Sequence, residues 1–154
     1  RKLPYKIMSL QEIKNIPIGR IANIGSHIYC WTTNKMLPYT FDVLKSWDVN
    51  FHLVLVATKK SAIAPCFAYK FGTEFLLLGF YRKPMQKFIG KGKLNWITYF
   101  PKRNAHSSKP DEMYNLIREM SPAPRIDIFA RSSRIGFDVL GDEAPTESQK
   151  CLWR

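Results

Sequence analysis

Short, nearly continuous apolar runs recur along this chain. They are rich in β-branched and aromatic residues, which favour strands, and their lack of polar alternation is typical of strands covered on both faces. We predict strands at residues 27–33, 51–57, 72–81, 95–100, 125–130 and 137–140. A sheet built from such strands needs helices to cover it.

Three helices are predicted between these strands. The first begins at a capping box formed by Ser9 and Glu12, and Pro17 limits it to about two turns. The second carries Pro38 in its first turn, where proline is tolerated, and the third is capped by the segment 108–111. Apolar residues recur at helical spacing in the last two: Leu37, Phe41, Leu44 and Trp47 in one, Met113, Leu116, Ile117 and Met120 in the other.

The alternation of strands with amphipathic helices predicts the α/β class. We expect a Rossmann-like fold, with a central, mostly parallel sheet flanked by helices and functional loops at the carboxyl ends of the strands. The 154 residues suit one domain, and neither a repeat nor a low-complexity linker divides them. We therefore predict a single domain over residues 1–143 and a tail over residues 144–154, where the periodicity is lost.

The chain is strongly basic, with 24 Lys and Arg against 12 Asp and Glu and a formal net charge of +12. Such a charge predicts a polyanionic partner. Nucleic acid is favoured over a membrane surface because the sequence contains no basic amphipathic helix. The alternative interpretation is a basic protein without such a partner.

One loop between predicted strands concentrates this charge. Basic side chains lie among aromatic and apolar ones, an arrangement that suits backbone phosphates at the rim of an active site. We predict phosphate contacts from Arg82, Lys83, Lys87, Lys91 and Lys93, with Lys102, Arg103 and His106 extending the surface. A solvated hairpin is the alternative.

Several other kinds of site are absent from the sequence. It contains no Gly-rich dinucleotide loop, Walker motif, nucleophile elbow or His-Glu-x-x-His. The cysteines and histidines are too scattered for a metal site: Cys30, Cys66, Cys151, His27, His52 and His106.

Unpaired cysteines indicate a reduced compartment, the cytoplasm or, in a eukaryote, the nucleus. No apolar run approaches the roughly 20 residues that span a bilayer, so we expect no membrane association.

Five segments occur in a characteristic order: WTTN at 31–34, GTEFLLLG at 72–79, HSSKPDEMYNLI from His106, IDIFAR ending at Arg131, and GDE at 141–143. Together they resemble the adenine-N6 methyltransferases, typified by the eukaryotic messenger-RNA methyltransferase and its bacterial and phage DNA relatives. The opening LPYKIMSLQEI is similar to the segment that shortly follows this family's catalytic tetrad. The resemblance covers residues 3 to about 143 and implies S-adenosylmethionine as cosubstrate.

The resemblance implies that Lys109 reaches the methionine carboxylate of the cosubstrate. A lysine beside a helix N-terminus offers a carboxylate both a charge and free backbone donors. The alternative is a solvated lysine in the first turn of the helix.

The nucleoside part of the cosubstrate is expected at the ends of the last two strands. By resemblance, the strand that holds Asp127 and Phe129, together with Arg131, borders the ribose. Asp127 is a candidate acceptor for ribose hydroxyls, or else a buried carboxylate paired with a neighbouring base. Gly141, Asp142 and Glu143 stand where the family has Gly-Asn followed by Gln or Glu on the adenosine. Asp142 in place of Asn removes an amide donor.

A target adenine must be flipped out of a duplex or taken from a single strand. Trp31 and Asn34, which follow a buried strand, are candidates to contact it. Trp31 as a core residue is the alternative.

The family's catalytic motif, Asp-Pro-Pro-Trp, is missing from this sequence. The closest match, Ala64-Pro65-Cys66-Phe67, lacks both the acid and the second proline. In the family the tetrad lies shortly before the segment that matches residues 5–13, so it would fall before Arg1, and truncation is the simplest hypothesis. The catalytic residues are therefore unknown. Ala57-Thr58 also departs from the Lys-Thr of many relatives.

These observations lead to two functional hypotheses. The first is an S-adenosylmethionine-dependent methyltransferase acting on the exocyclic amine of adenine in DNA or RNA, with DNA preferred because the compact chain resembles the microbial forms. The second is a catalytically inactive, nucleic-acid-binding partner subunit of such an enzyme. A homodimer or heterodimer with a related subunit is compatible with either.

Overall fold

The computed structural model describes residues 7–60, 68–101 and 109–141, together with the backbone of residues 64–66. Its helices are α1 (Leu10–Lys14), α2 (Leu37–Ser46) and α3 (Asp111–Met120), with one turn of 3-10 helix at Ile18–Arg20. Its strands are β1 (His27–Thr32), β2 (Val49–Lys59), β3 (Ala64–Cys66), β4 (Tyr69–Phe71), β5 (Thr73–Tyr81), β6 (Trp96–Tyr99), β7 (Ile126–Ile128) and β8 (Asp138–Leu140).

The main sheet has four strands in the order β1-β5-β2-β6. β5 is antiparallel to both β1 and β2, and the remaining described pair of this sheet, β2 and β6, is parallel. A mixed α/β structure is confirmed, but the predicted mostly parallel pairing is wrong for the described strands. Parallel neighbours need a long crossover, usually a helix, whereas the described part of the connection from β2 to β5 holds the antiparallel β3–β4 pair.

The strand directions define two ends of this sheet. β1, β2 and β6 all finish at the end where β5 begins, with Thr58 opposite Thr73 and Lys59 opposite Tyr99. We call this the carboxyl end. At the other, amino end, β1 and β2 begin and β5 finishes at Tyr81. The loop after β5 therefore leaves from the end opposite to the loops after β1 and β2.

The short helix α1 starts where the sequence predicts. The Ser9 hydroxyl accepts from the Glu12 backbone N–H at 3.2 Å, and the Glu12 carboxylate accepts from the Ser9 N–H at 2.7 Å, which confirms the capping box. The Trp47 indole donates to the Ile13 carbonyl at 3.0 Å and ties α1 to the end of α2. Both helices cover one face of the sheet, in a core around Leu44 and Leu77.

α3 covers the other face. Met113 and Ile117 pack with Leu76, Leu78 and Tyr99. The prediction that segment 108–111 caps this helix needs correction, because the N-cap is Pro110, which makes no side-chain cap hydrogen bond. Residue 108 lies outside the described residues.

β7 and β8 form a separate, parallel pair in which Ile128 lies opposite Leu140. Ile128 also packs against the core beneath α1 and α2. Within the described ranges, no helix combines the length and the apolar content needed to cross a membrane. The tail predicted for residues 144–154 falls outside those ranges.

We expect Leu76→Ala to lower the free energy of unfolding by about 2–5 kcal/mol, because it removes methyl groups from a packed core and leaves a cavity. Leu76 is fully buried between β1, β2 and α3. Urea denaturation measures the change. Ile135→Ala is the matched control, since Ile135 is 88% exposed, and its effect should stay within about 0.5 kcal/mol. Equal effects from the two substitutions would contradict this account of the core.

Candidate functional site

Charged and aromatic side chains gather at the carboxyl end of the sheet. Lys59 is the last residue of β2, Glu74 is the second of β5, and Trp31 is the second-last of β1. Lys109 stands two residues before α3. The sheet positions Lys59, Glu74 and Trp31, while Lys109 reaches them from the segment that leads into α3.

Glu74 joins two lysines from distant parts of the chain. One carboxylate oxygen accepts from Lys59 Nζ at 2.7 Å, and the other accepts from Lys109 Nζ at 2.8 Å. The three side chains are only 16%, 23% and 26% exposed, for Glu74, Lys59 and Lys109 respectively. We call these three residues the Glu74 cluster.

The two lysines determine the ionisation of Glu74. Burial by itself raises the pKa of this carboxyl group, but the hydrogen bonds and positive charges of Lys109 and Lys59 outweigh burial and place the pKa below its ordinary value. Burial and the nearby charge of Glu74 also raise the pKa of Tyr99 to about 12. Glu74 is therefore ionised at neutral pH, and the three residues of the cluster together carry a net charge of about +1.

Lys109 also contacts an aromatic ring. Its Nζ lies 4.9 Å from the centroid of Trp31, within range of a cation–π interaction. A cavity of about 260 Å³ opens beside this pair, between β1, α1 and α2. Mainly apolar and hydroxyl-bearing side chains line it, including Trp31, Thr33, Met36 and Tyr39. The alternative of a solvated lysine in the first turn of the helix therefore does not describe Lys109. Its side chain forms the charged wall of a mostly apolar cavity.

A second network fixes the chain around Lys109. The Arg134 guanidinium donates to the Lys109 carbonyl at 3.4 Å, to Asp111 at 3.4 Å and to Asp127 at 3.5 Å, and it lies 3.9 Å from the ring centroid of Tyr114. Arg134 thus connects the segment before α3, the first turn of α3, and β7.

Asp127 is engaged within this network. Its carboxylate accepts from the Tyr114 hydroxyl at 2.9 Å and from Arg134. Burial raises the pKa of Asp127, against the opposing effect of these two donors. Of the two interpretations of Asp127, pairing with a neighbouring base is therefore present, while a contact with ribose stays a prediction.

The ends of β7 and β8 bring three other predicted residues together. Phe129, 54% exposed, follows β7 with φ +63°, and Arg131 lies exposed just beyond it. Gly141 immediately follows β8 and lies against the backbone that follows β7. A Cβ added to Gly141 would stand 3.0 Å from the Ala130 carbonyl oxygen. This close approach of two backbones favours glycine there. Asp142 and Glu143 fall outside the described residues.

The candidate nucleic-acid residues separate into two groups. Trp31 lies at the carboxyl end beside Lys109, and the exposed Asn34 follows β1 at the same end. Arg82, Lys83, Lys87, Lys91 and Lys93 follow β5 and therefore leave from the amino end. The sequence suggested that the loop carrying these five residues shares a rim with Lys109, but it does not, because β5 is reversed. Lys102, Arg103 and His106 lie outside the described residues.

Three residues of the site were missed by sequence reasoning. Lys59 ends the strand in which a lysine was sought at position 57, and Glu74 is the single acid in an apolar run; both were detectable signals. No signal in the sequence identified Arg134, because its partners lie between 7 and 25 positions away along the chain.

Two other features bear on the site. A larger, more open depression of about 570 Å³ lies at the amino end, lined by Phe41, Phe51 and Arg82 among others, away from the Glu74 cluster. Over the part of the chain that the structure describes, no group of three or more His, Cys, Asp or Glu side chains could hold a metal ion.

Charged groups gathered at the carboxyl ends of strands, beside the N-terminus of a helix, are the arrangement of ligand-binding α/β proteins. The chain belongs to the MT-A70 family, which it matches over residues 1–143. The resemblance to the adenine-N6 methyltransferases is thereby confirmed.

Two curated relatives are similar to it. Over 142 residues the chain is 25% identical to the type II methyltransferase M.MunI of a Mycoplasma species, covering 92% of this chain and 60% of that protein. It is also 27% identical over 142 residues to an N(6)-adenosine-methyltransferase MT-A70-like protein of Drosophila melanogaster. That match covers 87% of this chain and 23% of the Drosophila protein. The chain thus spans only part of either relative. Both carry the name of a methyltransferase, so the comparisons do not favour an inactive partner subunit.

We expect Glu74→Gln to lower the free energy of unfolding at pH 7 by about 1.5–3 kcal/mol, the range for hydrogen bonds to charged groups. The pKa of Glu74 is lowered in the folded protein, so its stabilising effect is complete above the unfolded pKa of about 4.3. It is lost as the pH falls through the folded pKa. The difference between wild type and variant, measured by urea denaturation, should therefore shrink below about pH 4.

Glu119→Gln is the control, because Glu119 is also paired with a lysine but its side chain is 52% exposed. Its effect should be within about 1 kcal/mol. If the difference in unfolding free energy between wild type and Glu74→Gln is the same at pH 7 as below about pH 4, the ion pairs are not its source.

Proposed function

We propose that this chain provides the S-adenosylmethionine-binding part of a methyltransferase that acts on the exocyclic amine of adenine in DNA, or less favourably in RNA. The observation that carries the proposal is the Glu74 cluster, which presents a cation beside a mostly apolar cavity and a helix N-terminus. The name of the Drosophila relative specifies adenosine N6, which supports the choice of amine.

The residues suit the chemistry of this cosubstrate. S-adenosylmethionine supplies an electrophilic methyl group on a sulfonium, and it also carries a carboxylate and a nucleoside. One N–H of Lys109 is bonded to Glu74, and an ammonium has three, so two remain for a ligand carboxylate. Lys59 stays on the other oxygen of Glu74 and keeps that carboxylate neutralised while Lys109 turns toward a ligand.

The remaining residues act by holding and orienting. Arg134 bonds the Lys109 carbonyl and limits the motion of the segment before α3. Trp31 excludes water from one side of the Lys109 ammonium, which strengthens its attraction for an anion. Phe129 and Gly141, at the ends of β7 and β8, are assigned to the nucleoside. No residue of this chain is assigned to remove the amine proton.

The proposal includes a Rossmann-like arrangement. Because β1 and β2 are both antiparallel to β5, and β6 is parallel to β2, three of the four strands of the sheet share one direction. α1 and α2 cover one face and α3 covers the other. Helices on both faces of strands that mostly point one way support this assignment.

We expect Lys109→Met to weaken S-adenosylmethionine binding at least tenfold, because it removes a charge-assisted contact worth about 1.5–3 kcal/mol. Isothermal titration calorimetry on the 154-residue chain measures the effect. Lys60→Met is the matched control: Lys60 is an exposed lysine at the same end of the sheet, its ammonium over Phe100, and the affinity should stay within about twofold.

Methylthioadenosine, which lacks the carboxylate, separates the role of Lys109 from a general loss of structure. Its affinity should be equal for wild type and Lys109→Met. If S-adenosylmethionine binds both proteins equally, or if methylthioadenosine binding falls as much as S-adenosylmethionine binding, Lys109 does not hold the carboxylate.

A further inference from the structure

The loop between β5 and β6, residues 82–95, carries five basic residues and no acid. Between Glu74 and Asp111 the sequence has eight Lys and Arg and not one acid. Five of the eight lie in residues 82–93, and their side chains are exposed. We call residues 82–95 the basic loop.

Hydrogen bonds attach the basic loop to the framework at two places. The Gln86 N–H donates to the Gly25 carbonyl at 3.0 Å, and the Ile89 N–H donates to the Met120 carbonyl at 2.9 Å. Burial lowers the pKa of His27, and its Nε2 donates to the Gln86 carbonyl at 2.8 Å. The loop is therefore held between the start of β1 and the end of α3.

Two glycines permit this close attachment. A Cβ at Gly25, which has φ +83°, would overlap the Pro84 carbonyl oxygen, and a Cβ at Gly90 would overlap that of Glu119. The loop backbone thus lies directly against other backbone at these two places, which restrains the loop before any partner binds. A rigid surface loses less conformational entropy on binding.

The charges of the loop fall into two sets. Arg82 pairs with Asp48 at 3.1 Å, and Lys93 pairs with Glu119. Lys83, Lys87 and Lys91, between them, have no acidic partner among the described residues. Arg82 and Lys93, near the two ends of the loop, thus engage acids of the framework. The three lysines between them remain available to bind a partner.

We propose that the basic loop is a second nucleic-acid contact, which holds the phosphate backbone at the amino end of the sheet, away from the Glu74 cluster. The proposal rests on nucleic acid being the substrate. Lysines contact phosphates without reading sequence, so this contact adds affinity for any sequence and positions the nucleic acid relative to the methyl-transfer site.

The fold sets the distance between the two contacts. α3, with 10 residues, runs from Lys109 to the basic loop and is about 15 Å long. β5 crosses the sheet between the same two ends, and its nine residues span about 25–30 Å. The contacts are thus on the order of 20 Å apart, or about six base pairs at 3.4 Å each.

Other partners fit this surface less well. Lysine is depleted from protein–protein interfaces, and binding at a membrane surface is typical of an amphipathic helix, whereas the basic loop contains no helix. Its alternation of lysines with Met85 and Ile89 does not form a continuous apolar face.

The test uses three proteins: the wild-type chain, a loop variant with Lys83, Lys87 and Lys91 changed to Gln, and a control with Lys14, Lys45 and Lys70 changed to Gln. Both variants lose three charges, but the control lysines lie on α1, α2 and β4. Fluorescence anisotropy with a duplex of about 20 base pairs, from about 50 to 200 mM salt, gives affinity and salt slope. Calorimetry gives S-adenosylmethionine affinity.

For the loop variant we expect a salt slope smaller by about 2–3, since each phosphate contact contributes about 0.9, and an affinity at least about tenfold lower near 150 mM salt. Its S-adenosylmethionine affinity should equal that of wild type, and the control should lose less than one unit of slope. This result supports the basic loop as a separate contact.

Other outcomes overturn it. If loop variant and control lose affinity equally, only net charge is involved. If the loop variant binds duplex as wild type does, the loop contact is wrong while the proposed function stands. If wild type binds S-adenosylmethionine but neither duplex nor single strand, both the loop contact and the nucleic-acid substrate are wrong. Loop-dependent binding to phosphatidylserine vesicles, with unchanged duplex binding, would assign the loop to a membrane.

Discussion

The reversed direction of β5 determines that the Glu74 cluster and the basic loop lie at opposite ends of the main sheet. Among the described strands, β5 alone is bonded to both β1 and β2, and its buried residues Leu76 and Leu77 contribute to the cores on both faces of the sheet. Because it begins where its neighbours end, it brings Glu74 to the carboxyl end and sends the basic loop to the amino end. One strand thus contributes to a ligand site and a charged surface at opposite ends.

Glu74 illustrates how burial and charge are balanced in the site. A half-buried carboxylate is costly unless it is paired, and two lysines satisfy it here. Two cations on one anion leave a positive excess beside an apolar cavity, where attraction for an anion is stronger than in water. The same contact that stabilises the folded protein therefore prepares the site for an anionic ligand.

Much of the local structure was accessible from the sequence. The capping box at Ser9 and the strands around residues 27–33, 51–57 and 72–81 follow from hydrogen-bonding chemistry and side-chain periodicity, which are local properties. Lys109 was identified from a motif. The pairing pattern was not accessible, because apolar periodicity records which faces are buried but not which way a strand runs. The predicted parallel sheet failed at β5 for this reason.

The sequence by itself determined the helices and main strands, the family, the positive charge and the candidate lysine, since these depend on local patterns, on composition and on the order of motifs along the chain. Only the tertiary structure decided that Lys59, Glu74 and Lys109 meet, that Arg134 supports them, and that the basic loop lies at the other end. The contacts within the Glu74 cluster join residues up to 35 positions apart. Such contacts depend on strand direction and packing, which no local pattern encodes.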